Sequence, residues 1–196
     1  DVHLDLALRL HRTAPDSIWE TALDCISHGS GIPALYNEEA YVAAIRDAHL
    51  GVSEADLPDF AFGGCTELMV HGKSNCGSLE GDLNLPLVLV DSLQRHLAGA
   101  QSFEAFLAAY KADLSRVVRG LVDSCNANQE SKALHHPQVI RSLVIDDCID
   151  NAREYNAGGA RYNWCVVNVM GLANVIDSLA AVREVVFETG EISANQ

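Results

Sequence analysis

Leu4, Leu6, Leu8 and Leu10 alternate with His3, Asp5, Ala7 and Arg9, and that alternation predicts a strand. The apolar spacing then lengthens to a helical one. Trp19, Leu23 and Ile26 share one face, with Asp16 or Ser17 as the cap and Gly29 as the stop. Residues 29–37 read as a loop, and Asn37 caps a second helix over 38–49. Gly51 ends that helix, and Ser53 opens a short turn of Glu54, Ala55 and Asp56. Phe60 to Phe62 predicts a brief strand ahead of Gly63 and Gly64.

From Cys65 to Gly81 neither spacing holds, and the segment is polar and interrupted by Gly72 and Gly77. An apolar helix follows over 83–97, with Pro86 near its start, where a missing N–H costs little. Ser102 caps a long amphipathic helix to about Cys125. Phe103, Phe106, Tyr110 and Leu114 face inward, and Glu104 and Asp113 face outward. Residues 126–134 read as a polar loop. Pro137 starts another helix through Leu143, Ile145 and Ile149, with His135 and His136 as its cap. Gly158-Gly159 breaks the chain, with Arg161, Tyr162 and Asn163 expected as a polar cluster under a loop. Tyr162 to Met170 is β-prone, and a last helix covers 173–188. The alternation predicts a helix-rich α/β region with at least two buried strands and no internal repeat or linker.

Composition narrows the class. With 48% hydrophobic and 20% charged residues the chain is globular, which excludes collagen-like and disordered classes. Acidic residues outnumber basic ones, 27 to 13, for a net charge of −14. Such a balance opposes nucleic acid and anionic membranes as partners. No apolar run approaches the roughly 18 residues of a membrane span. The start lacks both a signal-peptide layout and an initiator Met, which suits a processed product or an excised fragment. The six cysteines include no C-x-x-C pair, so neither a disulfide framework nor a zinc knuckle is expected. They are expected to be reduced, small apolar residues in a cytoplasmic protein, with Cys25 and Cys148 the best buried. His71 near Cys65 and Cys76 matches no zinc spacing, so no metal is expected. Neither G-x-x-x-x-G-K nor G-x-G-x-x-G occurs.

Cys65 and Glu67 are the residues that could carry chemistry. They follow two glycines and stand two residues apart, a spacing that projects both side chains to one side of an extended or sharply turned segment. A carboxylate beside a thiol disfavours the thiolate, so the pair suits a hydrogen-atom donor and a separate proton acceptor better than a thiolate nucleophile. The alternative is a buried cysteine and a solvated glutamate on a surface loop.

Several motifs resemble those of the glycyl radical enzyme superfamily, the pyruvate formate-lyase-like proteins. Residues 31–37 (GIPALYN) look like G-x-P-A-x-x-N, and 51–56 (GVSEAD) like the stretch that leads into the active-site loop. Residues 64–67 match G-C-x-E, with Gly72-Lys73 and Asn84-Leu85 at the family's spacing behind it. Residues 158–163 match G-G-A-R-Y-N and 173–181 match A-N-V-A-D-S-L-A-A, so the resemblance runs along nearly the whole chain.

The resemblance implies a ten-stranded barrel wrapped by helices, with Cys65 on a central finger loop. Residues 1–196 would be one part of it, with the N-terminal region and the C-terminal glycyl radical domain lying elsewhere. It implies Cys65 as the transient thiyl site and Glu67 as the general base or acid of a dehydratase or lyase acting on a small hydroxylated substrate. Ser78 and Asp82 would contact that substrate. No cofactor would be bound in this chain. The glycyl radical would be installed by an activase using S-adenosylmethionine and an iron–sulfur cluster, and the full-length enzyme would be a homodimer. Gly64 and Thr66 flank Cys65, where pyruvate formate-lyase proper carries adjacent cysteines, so the superfamily name does not give the reaction. A C–C lyase of the formate acetyltransferase kind, a decarboxylase, and a fragment inactive by itself are the alternatives.

Overall fold

The leucine alternation at the start becomes β1 (Ala7–Leu10) in a computed structural model that describes residues 6–63, 67–76 and 80–194. The chain divides into two compact units, 1–78 with 137–164 and 79–136 with 165–196. In the first, α1 (Asp16–Ser27) crosses over from β1 to β2 (Ala34–Asn37), and the two strands pair in parallel from Ala7↔Ala34 to Leu10↔Asn37. Residues 29–37 are thus not all loop. Four residues are too few to show a period, and the strand is defined by the partner whose backbone groups it satisfies. Nor do Asp16 and Ser17 cap α1. Pro15 takes the capping position at φ −58°, and Asp16 falls in the first turn, where its charge meets the positive end of the helix.

Asn37 caps α2 (Glu38–Asp47) as expected, its Oδ1 accepting from Ala40 N at 2.8 Å. A 3-10 turn (Leu57–Asp59) leads into β3 (Phe60–Gly63), which pairs antiparallel with β4 (Glu67–Val70). The core here is Ile45, Leu57 and Phe60, with Tyr41, Val42 and Phe62 packed on it. The segment 65–81, expected to lack regular structure, contributes β4, β5 (Ser74–Cys76) and the first residue of β6 (Gly81–Asn84).

The second unit begins with β6. Asn84 closes that strand and caps α3 (Leu85–His96), its Oδ1 accepting from Leu87 N at 3.1 Å, so Leu83 belongs to the strand and not to the helix. Ser102 caps α4 as expected, but α4 (Phe103–His135) runs ten residues past Cys125, through the segment read as a polar loop. No Gly or Pro interrupts residues 121–136, and Glu80 accepts from Gln129 Nε2 (2.6 Å) and Lys132 Nζ (3.1 Å), which ties down the last turns. Leu83, Leu85, Val88, Leu89, Phe106, Tyr110 and Val175 form the core.

Asp113 does not face outward. It is buried against α3, where its carboxylate accepts from Ser92 Oγ (2.8 Å), Arg95 (3.1 Å) and Arg116 (3.3 Å) and meets His96 Nε2 at 3.0 Å. The Ser92 hydroxyl above all holds its carboxyl at about 2 against an ordinary 3.8; burial opposes this, and Arg116, His96 and Arg95 assist. The folded state therefore binds this proton less readily than the unfolded one. Its contribution to stability is complete above about pH 4 and is lost as the pH falls towards 2. Asp113→Ala leaves the fully buried Ser92 hydroxyl without an acceptor, at an expected cost of about 1–3 kcal/mol. Urea unfolding of the full-length protein at pH 7 should show that loss, and the gap to wild type should narrow towards pH 2.

After α4 the chain returns to the first unit. The helix expected from Pro137 shrinks to α5 (Val139–Val144), with Ile145 to Ile149 in a bend and turns. His135 is the last residue of α4, and Gln138 holds the start of α5 without a side-chain bond, so neither histidine caps it. β7 (Tyr162–Trp164) pairs in parallel with β5, and β8 (Val167–Met170), in the second unit, with β6. α6 (Leu172–Val182) and a π-helical turn (Arg183–Glu188) complete that unit. Gly171 sits at φ 77°, with Pro86 Cγ 2.4 Å from where a Cβ would stand, so only glycine fits the start of α6. Among the described cysteines, Cys125 and Cys148 are buried while Cys25 is exposed, because Ala22 is the residue that α1 buries.

Candidate active site

The hairpin of β3 and β4 is built on aromatic packing. Phe60 is fully buried, and the Phe62 ring stacks on Tyr36 with centroids 3.7 Å apart and meets Tyr41 edge-on at 4.8 Å. The Arg9 guanidinium lies 3.8 Å over the Phe60 ring and donates to the Pro58 and Phe60 carbonyls at 3.1 and 2.5 Å. The two strands pair as far as Gly63↔Glu67. Glu67 is thus the first residue of β4, half-buried, on a strand whose partner is fixed by this packing.

At the other end of the hairpin a chain of alternating charges runs Asp59, Lys73, Asp56, Arg161, Asp147. Lys73 Nζ donates to Asp56 Oδ1 and Asp59 Oδ2, both at 2.6 Å. Tyr162 OH donates to Asp56 Oδ2 at 2.6 Å and accepts from Ser53 N at 3.1 Å. Arg161 bridges Asp56 (3.1 Å) and Asp147 (2.8 Å). The Lys73 ammonium, then Tyr162, hold the Asp56 carboxyl well below the carboxylate range against its burial, with Arg161 and Ser53 adding to them. Asp56, and then Asp59, push Lys73 upward in turn. The backbone joins in, with His71 N on Asp59 O (2.9 Å), Asp146 N on Gly72 O (2.8 Å) and Tyr162 N on Lys73 O (3.0 Å). The polar cluster expected of Arg161 and Tyr162 is therefore present. Asn163 turns to the Ala160 carbonyl instead, at 2.7 Å. The preceding glycines place the strand. Gly158 has φ 85°, and a Cβ on Gly159 would lie 2.0 Å from the Arg153 carbonyl oxygen.

In the second unit Asp82 is exposed on β6 and accepts from Asn168 Nδ2 at 3.2 Å. Two residues before it, the Glu80 side chain is buried, 6% exposed. Burial works to raise its pKa, but hydrogen bonds from Gln129 and Lys132 outweigh it and hold the carboxyl below its ordinary value. Cys125 Sγ donates to the Glu80 carbonyl at 3.6 Å. Although residue 165 as a whole is exposed, desolvation of its thiol, and then Glu80 and Cys125, push the Cys165 thiol up. A cleft of about 320 Å³ lies among Arg95, His96, Gln101 and Phe106, and no expected site residue lines it.

Cys65 and Ser78 lie outside the described residues. Glu67 sits in the first unit and Asp82 in the second. Among the described residues no three His, Cys, Asp or Glu side chains gather as a metal site, and no helix is long and apolar enough to cross a membrane. Sequence reasoning missed the roles of Asp56 and Lys73, whose signal was present only as two short motifs separated along the chain.

The family model described as Pyruvate formate lyase-like matches residues 2–196. Trans-4-hydroxy-L-proline dehydratase of Clostridioides difficile is 28% identical over 92% of this chain and 24% of its own length. The glycerol-bound B12-independent glycerol dehydratase from Clostridium butyricum superposes with a TM-score of 0.90 at 26% identity, over 98% of this chain and 26% of that one. A Roseburia inulinivorans structure concerned with 1,2-propanediol dehydration gives 0.89 at 25% identity, with the same coverage, 98% and 26%. The chain thus spans about a quarter of the length of these relatives.

Proposed function

Because the chain belongs to the pyruvate formate lyase-like family of glycyl radical enzymes, we propose that it is the central part of a dehydratase or lyase that acts on a small hydroxylated substrate through Cys65 and Glu67. One observation carries the proposal: the G-C-x-E motif follows directly on β3, and its glutamate is the first residue of the partner strand, paired with Gly63. The relatives' dehydration chemistry supports the same reading.

The glycyl radical, on a segment outside this sequence, supplies the unpaired electron. At Cys65 the sulfur takes a hydrogen atom from the substrate carbon that bears a hydroxyl, forming S–H and leaving a carbon radical. That radical acidifies the hydroxyl, and Glu67 accepts its proton as the carbonyl forms. The β-substituent leaves; where it is a hydroxyl, it takes the proton from Glu67 and departs as water. Cys65 then returns its hydrogen atom to the β-carbon, so the product is substrate less water with no net oxidation. A positioned carboxylate contributes about 10²–10⁴ to such a step. Ser78 and Asp82 would contact the substrate. An activase with S-adenosylmethionine and an iron–sulfur cluster is the partner that supplies the radical chemistry. The complete enzyme would be a cytoplasmic homodimer, and this segment alone would be inactive.

The test is electron paramagnetic resonance on the full-length protein after anaerobic activation, followed by turnover assays with glycerol, 1,2-propanediol and isethionate, each of which carries a hydroxyl and a β-substituent that can leave. A glycyl radical signal with elimination from one of these compounds is expected. Protein that acquires no such signal on activation overturns the proposal.

A further inference from the structure

The charge chain stands at one end of the β3–β4 pair, and Glu67 stands at the other. Asp56 and Asp59 precede β3 and Lys73 follows β4, so the two carboxylates and the ammonium tie the two strands together at this end, beside the His71 N to Asp59 O backbone bond. Arg161 and Tyr162, at the start of β7, fix the same carboxylate to the neighbouring strand pair. Asp56 is the centre, with its side chain 7% exposed, and Lys73 is 17% exposed. Exposed ion pairs contribute little, whereas sheltered and multiply hydrogen-bonded ones fix geometry. We propose that Asp56 and Lys73 are positioning residues for the proposed reaction: they set the tilt of β3 and β4 and so the placement of Glu67 at the first position of β4.

Leverage makes the effect large. The hairpin has four paired positions, on the order of 10 Å at ~3.4 Å per residue. A tilt of about 5° at the base moves the far end by about 1 Å, and misplacement on that scale costs up to about 10²-fold in rate. Neither residue takes part in bond making. Their effect passes through β3 and β4, two four-residue strands packed on Tyr36 and Tyr41 through Phe62 and tied at one end by the ion pairs.

This inference rests on the proposed chemistry at Cys65, and its test separates the two. Lys73→Met and Lys73→Arg would be made in the full-length enzyme. Amide exchange over residues 60–70 should rise about tenfold in Lys73→Met, with α3 and α4 unchanged. After activation, turnover per glycyl radical spin, with whichever compound of the panel above the wild type consumes, should fall about 10- to 100-fold. KM should stay within about threefold, the signature of a lost transition-state arrangement. Lys73→Arg, which keeps the charge, should recover most of the loss. Unchanged exchange in the hairpin, undiminished turnover per spin, or a loss confined to KM overturns the positioning role. So does a parallel fall of spin and turnover, which is what a purely structural defect gives. If Lys73→Met does not fold, Asp59→Asn decides, because it removes only the outer link at a half-exposed residue. A smaller loss per spin supports the role, and none overturns it. Turnover that survives in Cys65→Ser overturns the underlying chemistry. Its loss there, with full turnover per spin in Lys73→Met, overturns the positioning role alone.

Discussion

Cys65→Ser is expected to abolish turnover by the activated full-length enzyme while leaving the glycyl radical signal in place. The proposed reaction asks residue 65 to carry a hydrogen atom in both directions, so its bond to hydrogen must match a substrate C–H bond closely enough to exchange. A thiol meets that condition. An alcohol O–H is too strong to be remade and broken at a useful rate, and each ~1.4 kcal/mol added to the barrier costs a factor of ten. Serine is close to isosteric with cysteine, so substrate affinity should change little. Cys65→Ala should behave alike, because it too lacks an exchangeable hydrogen. Activity in either variant, measured as product per radical spin, removes Cys65 from the mechanism.

The parts of the fold that are legible in the sequence are those set locally. Asn37 and Ser102 cap the helices that the spacing assigns to them, and Phe60 to Phe62 is the strand it predicts. The short parallel strands β2, β5 and β6 are not legible, because each is made by a partner farther along the chain, whereas β1, β7 and β8 fall in stretches whose pattern is already β-like. Asp82 on β6 bonds Asn168 on β8 across 86 positions, and nothing local to residues 81–84 announces it. Asp113 shows the same limit for a side chain. A carboxylate on an amphipathic helix reads as solvent-facing until α3 lays Ser92, Arg95 and His96 over it. The candidate site divides along that line. Cys65 and Glu67 stand out because they share one short motif. Asp56, Lys73, Arg161 and Tyr162 come from three separate stretches, and only folding brings them together.

Glu67→Gln is expected to lower product formation by about 10²–10⁴ while leaving hydrogen abstraction intact. The amide keeps the size of the side chain at the first position of β4, and the Gly63↔Glu67 pair is a backbone pairing that the substitution does not touch. The function the substitution is designed to remove is proton acceptance. Cys65 can still remove a hydrogen atom from the substrate and return it. Without a base for the hydroxyl proton, the carbon radical expels its β-substituent too slowly to compete with that return. Two measurements separate the steps. Deuterium placed on the substrate carbon should still wash into the enzyme thiol and from there into solvent. A substrate-derived radical should build up in the electron paramagnetic resonance spectrum while product does not. Glu67→Asp should fall between, since it keeps the base but withdraws it by one methylene. Full product formation by Glu67→Gln reduces Glu67 to a packing or substrate-orienting group. The reaction would then be one that needs no base at this position, such as cleavage of a carbon–carbon bond.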